Sequence, residues 1–170
     1  MLTFTAGNKK EGGSYFRKRV AIKTMVKKEI MYHTNFQTKD ELFEGVTAFL
    51  VENDLATAEI EVALKEREEK FPTGLPTIPA SAIPHTDGTY AKDDVILCVL
   101  NETPLDFYQM GSNKEKVVEA QVIFVLMMRD IVTHLDQLQH IIEKVRNTNF
   151  VAELVKADEA TFTSLVKDQL

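Results

Sequence analysis

Two apolar runs constrain this chain more than any other feature: Val95-Ile96-Leu97-Cys98-Val99-Leu100 and Val122-Ile123-Phe124-Val125-Leu126-Met127. Neither run alternates with polar residues. A strand built from either one must therefore be covered on both faces, as the central strands of α/β sheets are. Segments with helical periodicity lie before the first run and after the second. The expected architecture is α/β: a three-layer α-β-α single domain with a mixed β-sheet. With 170 residues, 44% hydrophobic content and 10 Phe, the chain has enough apolar volume for one ordinary core. No apolar run approaches the roughly 20 residues of a membrane span.

The helices are legible from caps and spacing. Thr38-Lys39-Asp40-Glu41 is a capping-box pattern, with Thr38 as N-cap and Glu41 reaching back. Leu42, Val46, Phe49 and Leu50 follow at helical spacing, and Asn53-Asp54 ends the helix. A second helix is expected over residues 57–70, with Ile60, Ala63 and Leu64 inward. Its other side carries Glu59, Glu61, Lys65, Glu66, Arg67, Glu68, Glu69 and Lys70, read mostly as solvated surface. Pro104-Leu105-Asp106-Phe107 reads as a short strand or turn, and Met110-Gly111-Ser112-Asn113-Lys114 as a loop. Thr133 is expected to cap a helix with Leu135, Leu138, Ile141, Ile142 and Val145 on one face. Two shorter helices are expected over residues 150–157 and 159–167.

Charge divides the chain. Residues 1–30 carry eight Lys/Arg against two acidic residues, whereas residues 31–170 carry 12 against 24. The acidic part is unsuited to nucleic acid, and an acidic surface suits a basic protein partner. Residues 1–30 read as a basic, flexible extension, and 31–170 as the folded domain. The extension is a disordered tail, a basic amphipathic arm, or the product of a start assigned too early. Codons for Lys27-Lys28-Glu29 can contain a purine-rich ribosome-binding sequence just upstream of Met31. No secretory leader is expected. Cys98, the single cysteine, sits in the first apolar run and reads as a small core residue, consistent with a reducing cytosol.

The chemistry concentrates between the helical half and the apolar runs. The stretch from Phe71 to Asp87 holds Pro72, Pro76, Pro79 and Pro84 before His85, with no regular periodicity. Pro84 fixes its own φ and keeps Ile83 extended, so the approach to the imidazole is stiff. A lone loop histidine is most often a surface residue. The prolines and a second histidine, His134, at a helix start after the second apolar run, strengthen the case for chemistry, because helix N-termini favour anions. His33 and His140 read as inert. No histidine or cysteine spacing fits a metal site, and no phosphate-cradling glycine-lysine loop is present, so neither metal nor cofactor is expected.

Arg67-Glu68-x-x-Phe71-Pro72-Thr73-Gly74, Ala82-Ile83-Pro84-His85-Thr86-Asp87, Phe107-x-x-Met110-Gly111, Val122-Ile123-Phe124 and His134-Leu135-x-x-Leu138 together resemble the Enzyme IIA domain of the bacterial sugar phosphotransferase system. The likeness is to the type-2, fructose–mannitol branch, and the Pro-Thr-Gly and Met-Gly motifs resemble its galactitol subgroup. It covers the chain from about Phe36 to the C-terminus. It implies a cytoplasmic phosphotransferase of the mannitol/fructose-type Enzyme IIA fold. His85 would accept a phosphoryl group from phosphorylated HPr and pass it to a cysteine of Enzyme IIB. Membrane Enzyme IIC would be served indirectly, without membrane insertion of this chain. His134 matches the family's second histidine and Arg67 its arginine; Thr73 and Thr86 complete the expected phosphoryl contacts. The other reading is a regulatory module of the same fold that senses phosphorylation without feeding transport.

Overall fold

The structure, a computed structural model, describes residues 25–147 and 149–170. Most of the basic N-terminal extension lies outside the described residues. Strand β1 (Lys27–Thr34) opens the fold, followed by helices α1 (Lys39–Glu52) and α2 (Ile60–Lys70). Short strands β2 (Gly74–Leu75) and β3 (Ser81–Ala82) precede the long hairpin of β4 (Val95–Tyr108) and β5 (Val117–Met127). Helices α3 (Ile131–Asn147), α4 (Phe150–Lys156) and α5 (Glu159–Gln169) complete it. The sheet order is β1-β4-β5-β3-β2. The β1–β4 and β3–β5 pairs are parallel and the β4–β5 and β2–β3 pairs antiparallel, so the sheet is mixed.

The two apolar runs lie at the centre of this sheet and divide by pleat. Val95, Leu97, Val99, Ile123, Val125 and Met127 pack with Leu42, Phe43, Val46, Leu50, Ile60 and Leu64 of α1 and α2. Ile96, Cys98, Val122, Phe124 and Leu126 pack on the opposite face with Ile141 and Val145 of α3, Phe150 and Leu154 of α4, and Phe162 and Val166 of α5. That is the three-layer arrangement expected from continuous apolar strands. Cys98 is fully buried there, and burial pushes its thiol well above the usual range.

Several local expectations are revised. β1 was not anticipated, and its first four residues fall in the segment read as extension; Met31 sits within the strand, opposite Val99. The loop from Phe71 to Asp87 contains β2 and β3, each too short to show a period. Glu41 does reach back, but to the Gln37 N–H, while Thr38 Oγ1 accepts from the Glu41 N–H. α3 is capped by Asp130, whose carboxylate accepts from both the Thr133 N–H and hydroxyl. Leu135, expected on the inner face of α3, is 58% exposed. Pro104 lies within β4, where the pairing register shifts between Leu100 and Leu105, the kind of irregularity that tolerates a missing N–H. Glu68, assigned to the solvated side of α2, is buried; it continues the inward Ile60–Leu64 spacing by one more turn.

Two glycines are required by close approach. A Cβ on Gly74 would lie 2.5 Å from Val118 Cγ2 and 2.7 Å from the Tyr108 carbonyl. Gly88, three residues after His85, has φ +83°, and a Cβ there would come 1.9 Å from the Met128 carbonyl oxygen. Gly88→Ala is therefore expected to cost about 3 kcal/mol or more, through positive φ and a backbone clash together. Denaturant unfolding of the purified variant reads this directly, and a loss under about 1 kcal/mol would show that the loop relaxes freely.

Candidate functional site

His85 is held from two sides by main chain. The Pro84 carbonyl accepts the Leu126 N–H of β5 at 3.0 Å, and the Ile83 N–H donates to the Thr73 carbonyl at 3.2 Å. The loop is thereby pinned between the centre of the sheet and the β2 end. The imidazole folds back on this frame: Nδ1 lies 2.8 Å from the Ile83 carbonyl oxygen. A carbonyl can only accept, so Nδ1 carries the proton and Nε2 keeps its lone pair. That lone pair faces Arg67, whose Nη2 donates to it at 3.0 Å.

Arg67 is itself fixed. Its Nη1 donates to the Phe71 carbonyl at 3.0 Å, and its guanidinium carbon lies 4.6 Å from the centre of the Phe71 ring. The end-of-helix cation thus turns inward across the loop. His134, in the first turn of α3, brings its ring to 5.1 Å from that of His85 at an angle of 60°. The structure therefore brings together His85, Arg67 and His134, which lie on three separate elements.

Two polar atoms beside this cluster are buried without a hydrogen-bond partner: Thr86 Oγ1 and His134 Nδ1. Buried groups without a partner are rare and costly. Thr73 is placed differently. Its hydroxyl donates to Glu68 Oε2 at 2.6 Å and its N–H to Glu68 Oε1 at 3.1 Å. It is 1% exposed, and its one hydroxyl proton is committed to the carboxylate rather than turned toward His85. Sequence reasoning missed three participants. The Ile83 carbonyl and the Phe71 carbonyl are main-chain groups with no residue signature. Glu68 had one, the four-residue step from Leu64.

Electrostatics keep the imidazole neutral. Burial dominates and lowers the His85 pKa from 6.5 to about 4, aided by the charges of Arg67 and His134 and opposed by the Ile83 carbonyl. His134 is also lowered, by burial and then by Arg67, against the opposing pull of Asp87. A histidine whose folded pKa is depressed contributes stability fully above its unfolded pKa, lost as pH falls through the folded value. For His85 that window runs from about pH 6.5 down to about 4. His85→Gln is expected to flatten the stability profile there by about 3 kcal/mol at pH 4. Urea unfolding at a series of pH values checks this; parallel profiles for both proteins would mean that His85 does not bury a neutral ring.

A cavity of about 800 Å³ opens over the cluster, lined by Val62, Arg67, Thr86, His134 and Leu135 among others. A second, of about 580 Å³, shares Arg67, Lys70 and His85 and extends toward Met110 and Lys114. Val62, Ile131 and Leu135 stand exposed at the mouth of the first. Among the described residues there is no group of three or more His, Cys, Asp or Glu placed to hold a metal ion, and no helix long and apolar enough to cross a membrane. The site can therefore offer a neutral imidazole nitrogen, a fixed guanidinium and two unpartnered hydrogen-bonding atoms to an anionic group.

Residues 24–168 match the family described as phosphoenolpyruvate-dependent sugar phosphotransferase system, EIIA 2. The match includes β1, so it starts some residues before Phe36. No curated protein matches the chain. Among solved structures, PtxA of Streptococcus mutans, described as a candidate phosphotransferase-system IIA, superposes with a TM-score of 0.67 at 19% identity, covering 83% of this chain and 88% of that one. IIA mannitol of Escherichia coli gives 0.65 at 16% identity, covering 81% and 95%. The complex of enzyme IIA mannitol with phosphorylated enzyme IIB mannitol from Escherichia coli gives 0.66 at 16% identity, covering 82% and 94%. At these identities the likeness is one of fold, and the fold expected from the sequence is the one found.

Proposed function

Because this chain belongs to the EIIA 2 family of the phosphoenolpyruvate-dependent sugar phosphotransferase system, we propose that His85 Nε2 is its phosphoryl acceptor and that HPr and Enzyme IIB are its donor and recipient. The observation that carries this reading is the state of His85: Nδ1–H tied to the Ile83 carbonyl, and Nε2 unprotonated and facing Arg67.

The transfer follows from that geometry. The Nε2 lone pair attacks the phosphorus of the HPr phosphohistidine. The P–Nε2 bond forms as the donor's P–N bond breaks, its electron pair returning to the donor imidazole. Nδ1–H stays on the Ile83 carbonyl throughout and shares the positive charge that the ring acquires. In the second half, a cysteine thiolate of Enzyme IIB attacks phosphorus. The P–S bond forms, and the electron pair of the P–N bond returns to His85 Nε2. Such transfers need positioning and charge stabilisation more than covalent help. Arg67 can keep Nη1 on Phe71 while Nη2 moves from Nε2 to a phosphoryl oxygen. Thr86 Oγ1 can donate to another oxygen, and so can His134 once its ring presents an N–H. A neutral imidazole remains nucleophilic across the physiological range.

The exposed apolar residues at the cavity mouth support protein partners rather than a small phosphate donor, since such a rim is suited to a docking face. The cargo we assign is a sugar or sugar alcohol, entering through membrane Enzyme IIC. The Pro-Thr-Gly and Met-Gly motifs support a galactitol-like ancestry, and we place the protein in the cytoplasm with its partners. The test is incubation with phosphorylated HPr, followed by peptide mapping and addition of an Enzyme IIB. The expected result is one phosphoryl group on the peptide containing His85, lost in acid, stable in alkali and discharged by Enzyme IIB. A label elsewhere, or none, rejects the reading. A label that no Enzyme IIB discharges favours a regulatory module instead.

A further inference from the structure

We propose that Glu68 and Thr73 form a positioning clamp that holds Arg67 and His85 in mutual register, a role that rests on the phosphoryl transfer proposed above. Glu68 occupies the inward stripe of α2 and is 3% exposed. A carboxylate so placed is costly unless its lone pairs are satisfied. Both of its oxygens are used, and on one residue: Oε1 accepts the Thr73 N–H and Oε2 the Thr73 hydroxyl. This bidentate contact closes the turn from the end of α2 to the start of β2.

Two branches leave the closed turn. Within it, the Phe71 carbonyl accepts Arg67 Nη1, and the Phe71 ring lies against the guanidinium. At its far end, the Thr73 carbonyl accepts the Ile83 N–H, and the Ile83 carbonyl in turn accepts His85 Nδ1–H. One contact is therefore the common root of the guanidinium's position and of the imidazole's tautomer. It joins the helix that carries Arg67 to the loop that carries His85. Neither Glu68 nor Thr73 directs a free polar atom at Nε2, so they act through their neighbours. The hydroxyl that the sequence marks as a phosphoryl contact serves the clamp.

Thr73→Val removes the hydroxyl at constant shape, and Thr73→Ser keeps it. In single-turnover phosphorylation by phosphorylated HPr, Thr73→Val is expected to slow transfer about tenfold or more, with half-saturating donor changed by under about twofold. Thr73→Ser should return the rate to within about threefold of the parent. Long-range ¹H–¹⁵N NMR of the unphosphorylated full chain provides a readout independent of activity. The parent should show the Nδ1–H tautomer at His85, and Thr73→Val a mixture with Nε2–H. A folded Thr73→Val with parental rate and tautomer overturns the clamp. So do equal losses in the Val and Ser variants with the tautomer unchanged, which would leave only a role in folding. Should Thr73→Val fail to fold, Glu68→Gln keeps one acceptor oxygen and is expected to show both effects in weaker form; parental behaviour there overturns the proposal. If the parent takes no phosphoryl group from HPr, the transfer reading falls by itself, and the tautomer comparison still decides the clamp.

Discussion

His85→Gln is expected to abolish phosphoryl uptake from phosphorylated HPr while leaving the fold in place. The amide has no aromatic nitrogen lone pair comparable to Nε2, so the P–N bond cannot form. The loss should exceed about 10⁴-fold, to the detection limit, because nothing else in the cluster can replace the nucleophile. Arg67 lacks a lone pair at any ordinary pH. His134 sits on a different element with its ring centre 5.1 Å away, so it does not occupy the position of Nε2. Retention of the fold is expected because the loop is pinned by main-chain bonds, Leu126 N–H to Pro84 and Ile83 N–H to Thr73, which the substitution does not touch. The measurement pairs phosphate incorporation with circular dichroism and unfolding at neutral pH. A folded His85→Gln protein that still incorporates phosphate would move the acceptor to another residue, with His134 the first to examine.

Arg67→Ala is expected to slow transfer by about 10² to 10³-fold, the usual consequence of removing one fixed donor from a site where charge develops. The effect should fall on the rate constant for transfer. The guanidinium is the one cation among the described residues bonded to Nε2, and it is partly desolvated, which strengthens its interaction with an incoming phosphoryl oxygen. Arg67→Lys should recover little. A lysine ammonium cannot hold the Phe71 carbonyl with one nitrogen while offering a second, fixed donor to phosphorus-bound oxygen. Rapid-quench kinetics with phosphorylated HPr in excess separates the two steps. If both variants transfer within about threefold of the parent, the guanidinium is a structural cap of α2 and not part of the site.

The sequence and the structure agree unevenly, and the pattern has a cause. Expectations held where a signal is local or strictly periodic: the Thr38 cap, the inward Leu42 and Val46, and the two apolar runs. They failed where pairing over distance decides the outcome. β1 has no apolar alternation strong enough to announce it, and it becomes a strand because β4 offers a parallel edge from Val95 to Val99. β2 and β3 are two residues each, shorter than any period. Leu135 follows the helical spacing of α3 but falls where the site opens, so it stays exposed.

By itself the sequence determined the central strands, the helices on both their faces, and the stiff Pro84-His85 approach, because continuous apolar runs and proline geometry act locally. It also marked His85, Arg67 and His134 as a set through motif resemblance. Only the tertiary structure decided what those residues do to one another. The Ile83 carbonyl that accepts the Nδ1–H is main chain of the same loop, and the Thr86 hydroxyl is buried without a partner; the turn of Arg67 onto Nε2 is a contact made by the fold. So is the commitment of Thr73 to a buried Glu68 through the fold of a turn. Hydrogen-bond direction and desolvation depend on which groups meet in space, and no spacing along the chain records that.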